Sequence, residues 1–338
     1  MTKLPMAGFL LTPRLLNSSA IGNLKDHFPH LFAGNFDTRQ YPDEWHYRPG
    51  FSLPNVTREI CNGWKSSSTI SSIVLNPNLG EAVAKQMGWG GARVAQGERT
   101  AKQIVYCCEL VAILYIIVAF MLILHSLGAD DIIWKPKGGT NTTVGFHRDS
   151  EYINVNFTEP SGENAGCTLW IGLDGGSQEN GGVQYAVGSQ RFGVKGEMTF
   201  MASENDDDPV KFLRDALPNE DIVLDTPTVL PGGGLLHHKD VWHGSGANLG
   251  KANDRMAIAI HFIDSACEFK ESNSKCNSKL PWKNSSYIYG RYRRRFTNEL
   301  AEEHFPITYN ENGKRSDFID ELSAPSNIEV SDVGSEWV

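Results

Sequence analysis

The second half of the chain carries the pattern that most limits its fold. From Trp134 onward, short β-like runs alternate with turns rich in Gly and Asn: CTLWIGL (Cys167–Leu173), VQYAV (Val183–Val187), TPTVLP, LLHHKDVW and MAIAIHFI. Strands this short, at this spacing, predict a β-sandwich or barrel rather than a helical bundle or an alternating α/β fold. Ahead of them, GFLLTPRLLN followed by SAIGNLKDHFPHLF reads as a strand and then a helix with apolar residues three and four apart. Gly80–Met87 reads as a second helix. The expected class is therefore mainly β with flanking helices, α+β.

Composition removes several functions. The chain has 338 residues, 40% of them apolar and 21% charged, which is enough for a real core and not the composition of a disordered protein. A net charge of −9 opposes general nucleic-acid binding. The one basic cluster, RYRRRF at Arg291–Phe296, reads as a solvated face, and SENDDDPVK at Ser203–Lys211 as an acidic loop. The six cysteines lack metal-ligand spacing, so free thiols are expected, with Cys167 and Cys267 in the core. The apolar stretch near the N-terminus is short, contains Pro5 and lacks a small-residue cleavage site, so no signal peptide is expected and a cytoplasmic location is.

One segment conflicts with this soluble character. Leu110–Leu124, LVAILYIIVAFMLIL, is uncharged and mostly apolar. Extended back to Ile104 as a helix, it would reach roughly 31 Å, enough to cross a bilayer, although Glu109 would be an unfavourable guest there. A membrane-tethered protein using residues 104–124 as an anchor is one alternative reading of the chain.

Chemistry first surfaces in GFHRDSEY (Gly145–Tyr152). If this segment is a strand, His147 and Asp149 lie two apart and project from the same face. An imidazole and a carboxylate together make two-thirds of the facial triad that holds non-haem Fe(II) and leaves coordination positions open. With 10 His and 40 acidic residues, such a pair arises by chance about once in a chain this long, and His238-Lys239-Asp240 is a second case. His243, in WHGSGAN, can supply a third ligand; a crowded alternative of His238, Asp240 and His243 also stays open. Arg255 heads MAIAIHFI and offers a planar fork for a carboxylate. Ala257 and Ala259 share its strand parity and leave room beside it.

Taken in order, HRD at His147–Asp149, TLWIGLD at Thr168–Asp174, ENGG…YAVGSQR at Glu179–Arg191 and HGSGAN…R at His243–Arg255 resemble the phytanoyl-CoA dioxygenase family over about Gly8–Ile263. The resemblance implies a double-stranded β-helix, or jelly roll, with flanking helices. It implies an oxygenase dependent on Fe(II) and 2-oxoglutarate that consumes O2, releases succinate and CO2, and hydroxylates, desaturates or cyclises a small organic substrate. Position by position, His147, Asp149 and His243 match the iron ligands, Arg255 the residue on the far carboxylate of 2-oxoglutarate, Ser245 a helper to it, and Trp170 an aromatic lining that pocket. Lys135 matches a family lysine near the site. GSQ at Gly188–Gln190 departs from the usual GSH. The presence of Asp149 argues against halogenation, which needs that position vacant for chloride. The alternative to the oxygenase is a non-catalytic or cupin-like metal-binding jelly roll.

The resemblance also bears on the apolar run. GARVAQ (Gly91–Gln96) and DDIIWKPKGG (Asp130–Gly139) look like two pieces of one family segment, RVAQDDIIWKP, which removal of Gly97–Ala129 restores. Gly97-Glu98 can be encoded GGTGAG, containing a splice donor, and Ala129-Asp130 can be encoded GCAGAT, containing an acceptor; excision would be in frame. The expected organisation is a single oxygenase domain over residues 1–310, interrupted by an insertion at 97–129 that reads as a retained intron or annotation error, and a polar tail at 311–338.

Overall fold

The computed structural model describes residues 4–95, 130–140, 142–193, 210–271, 289, 292–294 and 296–322, and the statements below concern these residues. Strand β1 (Phe9–Leu11) leads into helix α1 (Ser18–Phe32), whose N-terminus is capped by the Asn17 side chain accepting from the Ala20 amide at 2.8 Å. The apolar spacing of α1 buries Ala20, Ile21, Leu24, Phe28, Leu31 and Phe32 on one face. Then come β2 (Glu44–Trp45), β3 (Arg58–Cys61), α2 (Ser68–Val74), α3 (Pro77–Met87) and β4 (Gly91–Val94). The remaining order is β5 (Asp130–Lys135), β6 (Val144–His147), α4 (Ser150–Asn156), β7 (Gly166–Gly172), β8 (Val183–Ala186), α5 (Lys211–Ala216), β9 (Leu224–Asp225), β10 (Gly234–His238), β11 (His243–Ser245), β12 (Arg255–Asp264), β13 (Ile307–Asn310) and α6 (Ile319–Leu322).

These strands form a jelly roll. The larger sheet runs β1-β10-β7-β12-β5-β3-β2, with β4 also on β12 and β13 on β4; the smaller runs β6-β11-β8-β9. Pairing is antiparallel throughout. Alternation along the central strands separates two interiors. Met256, Ile258, Ile260 and Phe262 of β12, with Cys167, Leu169 and Ile171 of β7, join one core with the apolar faces of α1, α2 and α3. The opposite face of the same strands, Ala257 and Ala259 with Trp170, packs with Val183 and Tyr185 of the smaller sheet. The second interior is where the site lies.

Three local expectations differ. TPTVLP does not form a strand; Val229 makes only an isolated bridge to Gly176, because Pro227 and Pro231 remove ladder donors. The start of the expected polar tail returns to the domain: Ile319 is buried and Phe318 stacks on Trp64. In the basic cluster, Arg293 is drawn in, donating to the Lys270 carbonyl at 2.8 Å. The run Leu110–Leu124 and the loop Ser203–Pro209 lie outside the described residues, among which no helix is long and apolar enough to cross a membrane. Cys167 and Cys267 are buried thiols.

Candidate active site

His147 ends β6 and His243 begins β11; the two are direct cross-strand partners, with ring centroids 4.3 Å apart. Each ring is oriented by its own backbone. His147 Nδ1 lies 2.9 Å from the Gly145 carbonyl and His243 Nδ1 lies 3.0 Å from the Val241 carbonyl. A carbonyl can only accept, so both Nδ1 atoms carry the proton and both Nε2 atoms present a lone pair. The two Nε2 atoms face Asp149 Oδ1 at 3.8 and 3.7 Å. Three groups of potential ligands gather among the described residues, and this one alone is wholly buried.

Asp149 reaches the site by a different route from the one its spacing predicts. The strand stops at His147, and Asp149 adopts helical dihedrals (φ −70°, ψ −24°) as the N-cap of α4. An Asp there ordinarily accepts from the helix's first amides. This one makes no such bond, and its carboxylate turns to the two imidazoles.

Electrostatics suit a cation. Burial, then the neighbouring His243, pushes His147 down to about 3; burial, then His237, pushes His243 down to about 4. Both are neutral at pH 7. Burial opposes ionisation of Asp149, but the surrounding histidines, His243 foremost, outweigh it and hold the carboxyl well below its usual range.

The opposite end of the cavity is cationic. Lys135 and Arg255 are register partners on β5 and β12, both buried. Lys135 Nζ donates to Ser245 Oγ at 2.7 Å and to the Gly246 carbonyl at 2.8 Å. Arg255, 1% exposed, donates from Nη2 to the Gly181 carbonyl at 2.7 Å, while its Nε and Nη1 have no acceptor. Its guanidinium carbon stands 5.5 Å over the Trp170 ring. Gly172 leaves room for that ring, since a Cβ there would lie 2.8 Å from Trp170 Cη2. Burial pushes Lys135 well below its usual range, with Arg255 adding repulsion, and pushes Arg255 down to about 10, where it remains charged. A buried guanidinium with two unmet donors, beside the Lys135 amine, forms a place for an anion.

One cavity joins the two ends; His147, His243, Lys135, Ser245, Arg255 and Trp170 all line it. The alternative grouping is incomplete: His238 Nδ1 lies 3.7 Å from Asp240 Oδ2, but Asp240 pairs with Lys239 at 2.8 Å and His243 turns to Asp149 instead. The GSQ corner supports the site from outside. Its Ser189 Oγ accepts from the Trp242 amide at 2.8 Å, fixing the backbone just before His243.

Sequence reasoning overlooked three inward residues. Thr168 shares strand parity with Trp170, and His261 lies two positions beyond Ala259 on the face already assigned to Arg255. His237, read as an ordinary strand residue, also faces the cavity, 3.4 Å from Asp149 Oδ2. Extending the parity by one step in β7 and β12 would have found the first two.

The Phytanoyl-CoA dioxygenase (PhyH) family profile matches residues 7–257. Among solved structures, the fold is similar to the non-heme alpha-ketoglutarate-dependent carbocyclase SnoK from nogalamycin biosynthesis (16% identity, 89% of this chain and 92% of that one, TM-score 0.56). It is similar to the epimerase SnoN of the same biosynthesis, solved in complex with Fe3+, alpha-ketoglutarate and nogalamycin RO (12% identity, 90% and 94%, TM-score 0.52). It is also similar to EctD from S. alaskensis, solved with 2-oxoglutarate and 5-hydroxyectoine (14% identity, 88% and 82%, TM-score 0.51).

Proposed function

Because the chain belongs to the phytanoyl-CoA dioxygenase family, whose members are Fe(II)- and 2-oxoglutarate-dependent oxygenases, we propose that His147, Asp149 and His243 are its iron ligands and that Arg255, with Lys135 and Ser245, receives the distal carboxylate of 2-oxoglutarate. The observation that carries this reading is Arg255 itself. A buried guanidinium with two nitrogens lacking acceptors opens into the same cavity as His147 and His243, whose ligand atoms converge with that of Asp149. A bidentate carboxylate completes it. Charge supports the same occupants: a dication, a dianionic co-substrate, Asp149 and Arg255 leave the buried site near neutrality.

Bound together, iron and 2-oxoglutarate supply O2 activation coupled to decarboxylation of 2-oxoglutarate to succinate and CO2. The protein's own part is positional. Neutral His147 and His243 offer lone pairs without first losing a proton, Asp149 offers a charge, and Arg255 fixes the co-substrate's direction from the far end. Trp170 walls that end from solvent.

The substrate is a small organic molecule, hydroxylated or else desaturated or cyclised. Lys135 and Arg255, which line the cavity, are buried at the co-substrate end, while the half-exposed lining residues are Thr57, Glu59, Ile133 and Val144. Among the described residues this rim offers no cation to the phosphates of a CoA thioester, which favours a free substrate. A carbocyclase and an epimerase on similar folds mean that the outcome depends on the substrate-facing residues, not on the fold. The test is succinate release with Fe(II) and O2 across a panel of lipids, amino acids and terpenoids. A substrate that raises succinate above the substrate-free rate, in step with its own oxidation, is expected. Release that is equal in the protein and in His147→Ala would refute the assignment.

A further inference from the structure

Asp149 is held from behind. While Oδ1 faces the two ligand imidazoles, Oδ2 accepts from Thr168 Oγ1 at 2.5 Å. Thr168 lies opposite His237 on one side and opposite His261 on the other, so three adjacent strands, β10, β7 and β12, present these side chains in a row. His261 Nδ1 stands 2.7 Å from Thr168 Oγ1, and its Nε2 stands 3.4 Å from Asp131 Oδ2. On the other flank, Tyr185 OH is 2.9 Å from His237 Nδ1, and His237 Nε2 is 3.4 Å from Asp149 Oδ2. All these residues are buried.

The proton directions follow. The Asp149 carboxylate accepts, so Thr168 donates to it. The Thr168 oxygen can then accept from His261 Nδ1–H. A carboxylate oxygen occupied this way is a poor second ligand, and the row of strands fixes the plane of the carboxyl group.

We propose that Thr168, backed by His261 and His237, is a positioning residue that makes Asp149 a one-oxygen metal ligand. This rests on the reading of His147, Asp149 and His243 as the metal site. Outer partners of this kind typically change metal affinity 10- to 100-fold when removed. Thr168 permits a clean separation of roles: Val keeps the shape and loses the hydroxyl, whereas Ser keeps the hydroxyl and loses the methyl.

The test is titration of the metal-free full chain with Co(II), read by affinity and by the visible ligand-field spectrum. Thr168→Val is expected to weaken Co(II) binding roughly 10- to 100-fold and to change the spectrum, with Thr168→Ser close to the parent in both. A Thr168→Val titration matching the parent, or Thr168→Ser as weak as Thr168→Val, overturns the proposal. If Thr168→Val does not fold, His261→Asn and His261→Leu decide the matter. Asn retains a donor toward Thr168 and should hold Co(II) better than Leu; equal affinities overturn the idea. A parent chain that takes up no Co(II) overturns the metal site itself, a result distinct from the others.

Discussion

Val94 and Asp130 are near neighbours on the edge of one strand. Val94 faces Phe262, the Ala95 amide donates to the His261 carbonyl at 2.8 Å, and Asp130 faces Ile260. Asp130 thus takes the ladder position that would fall to the residue after Ala95, and β4 and β5 lie along β12 as one strand. Successive positions on this edge of β12 are taken by Val94, Ala95 and Asp130. We therefore propose that Gly97–Ala129 is dispensable, as a retained intron or annotation error. A chain with Gln96 joined to Asp130 should fold with the same register, accommodating Gln96 as a one-residue bulge. Its thermal midpoint should equal or exceed that of the full chain, with 2-oxoglutarate turnover kept, and mature transcripts should lack the segment. A dominant transcript that retains it, together with a less stable or inactive deletion, contradicts this.

Removing the Arg255 guanidinium should act on one partner only. Arg255→Ala loses a charge-assisted, bidentate contact, about 2–4 kcal/mol. The 2-oxoglutarate concentration for half-maximal turnover should rise at least tenfold, while metal affinity in the absence of co-substrate stays unchanged. An unaltered 2-oxoglutarate dependence would place the carboxylate elsewhere.

Much of this arrangement was legible in the sequence, and the exceptions have physical causes. β7, β8, β10 and β12 announce themselves because their apolar residues alternate between two buried faces and their ends carry turn residues. His147, Asp149, His243 and Arg255 could be grouped because fixed short motifs carry them. The contacts behind Asp149 could not, since Thr168, His237 and His261 meet only through strand register across β10, β7 and β12, which no local pattern specifies. The local conformation at Asp149 was hidden for a similar reason: a residue two beyond His147 reads as strand, and only the packing of α4 makes it a helix N-cap. The packing of Phe318 and Ile319 was masked by the polar residues around them.

Ala259 lines the cavity and lies opposite Trp170 in the ladder. Ala259→Phe should fill the space beside the co-substrate end, costing about 1–3 kcal/mol of stability through overpacking. Succinate production should fall to background while Co(II) uptake persists. Normal turnover in this variant would mean that the co-substrate does not pass along that face.

Acid should destabilise the metal-free protein in a defined window. Burial lowers His147 to about 3 and His238 and His243 to about 4, against 6.5 when unfolded. Folded-state values that are depressed mean that the unfolded chain binds more protons in between. The stability these groups contribute is therefore complete above about pH 6.5 and is lost as pH falls toward 4. The thermal midpoint of the apo chain should drop over that interval and be flatter above it. His238→Gln should reduce the slope. A midpoint independent of pH from 7 to 4 would contradict the burial of these neutral rings.

The most direct measurement is the visible charge-transfer band that Fe(II) and 2-oxoglutarate form together in the absence of O2. The parent chain and His238→Ala should both develop it, and His243→Ala should not. A band that survives in His243→Ala, or that is lost in His238→Ala, would contradict the assignment of His147, Asp149 and His243 as the iron site.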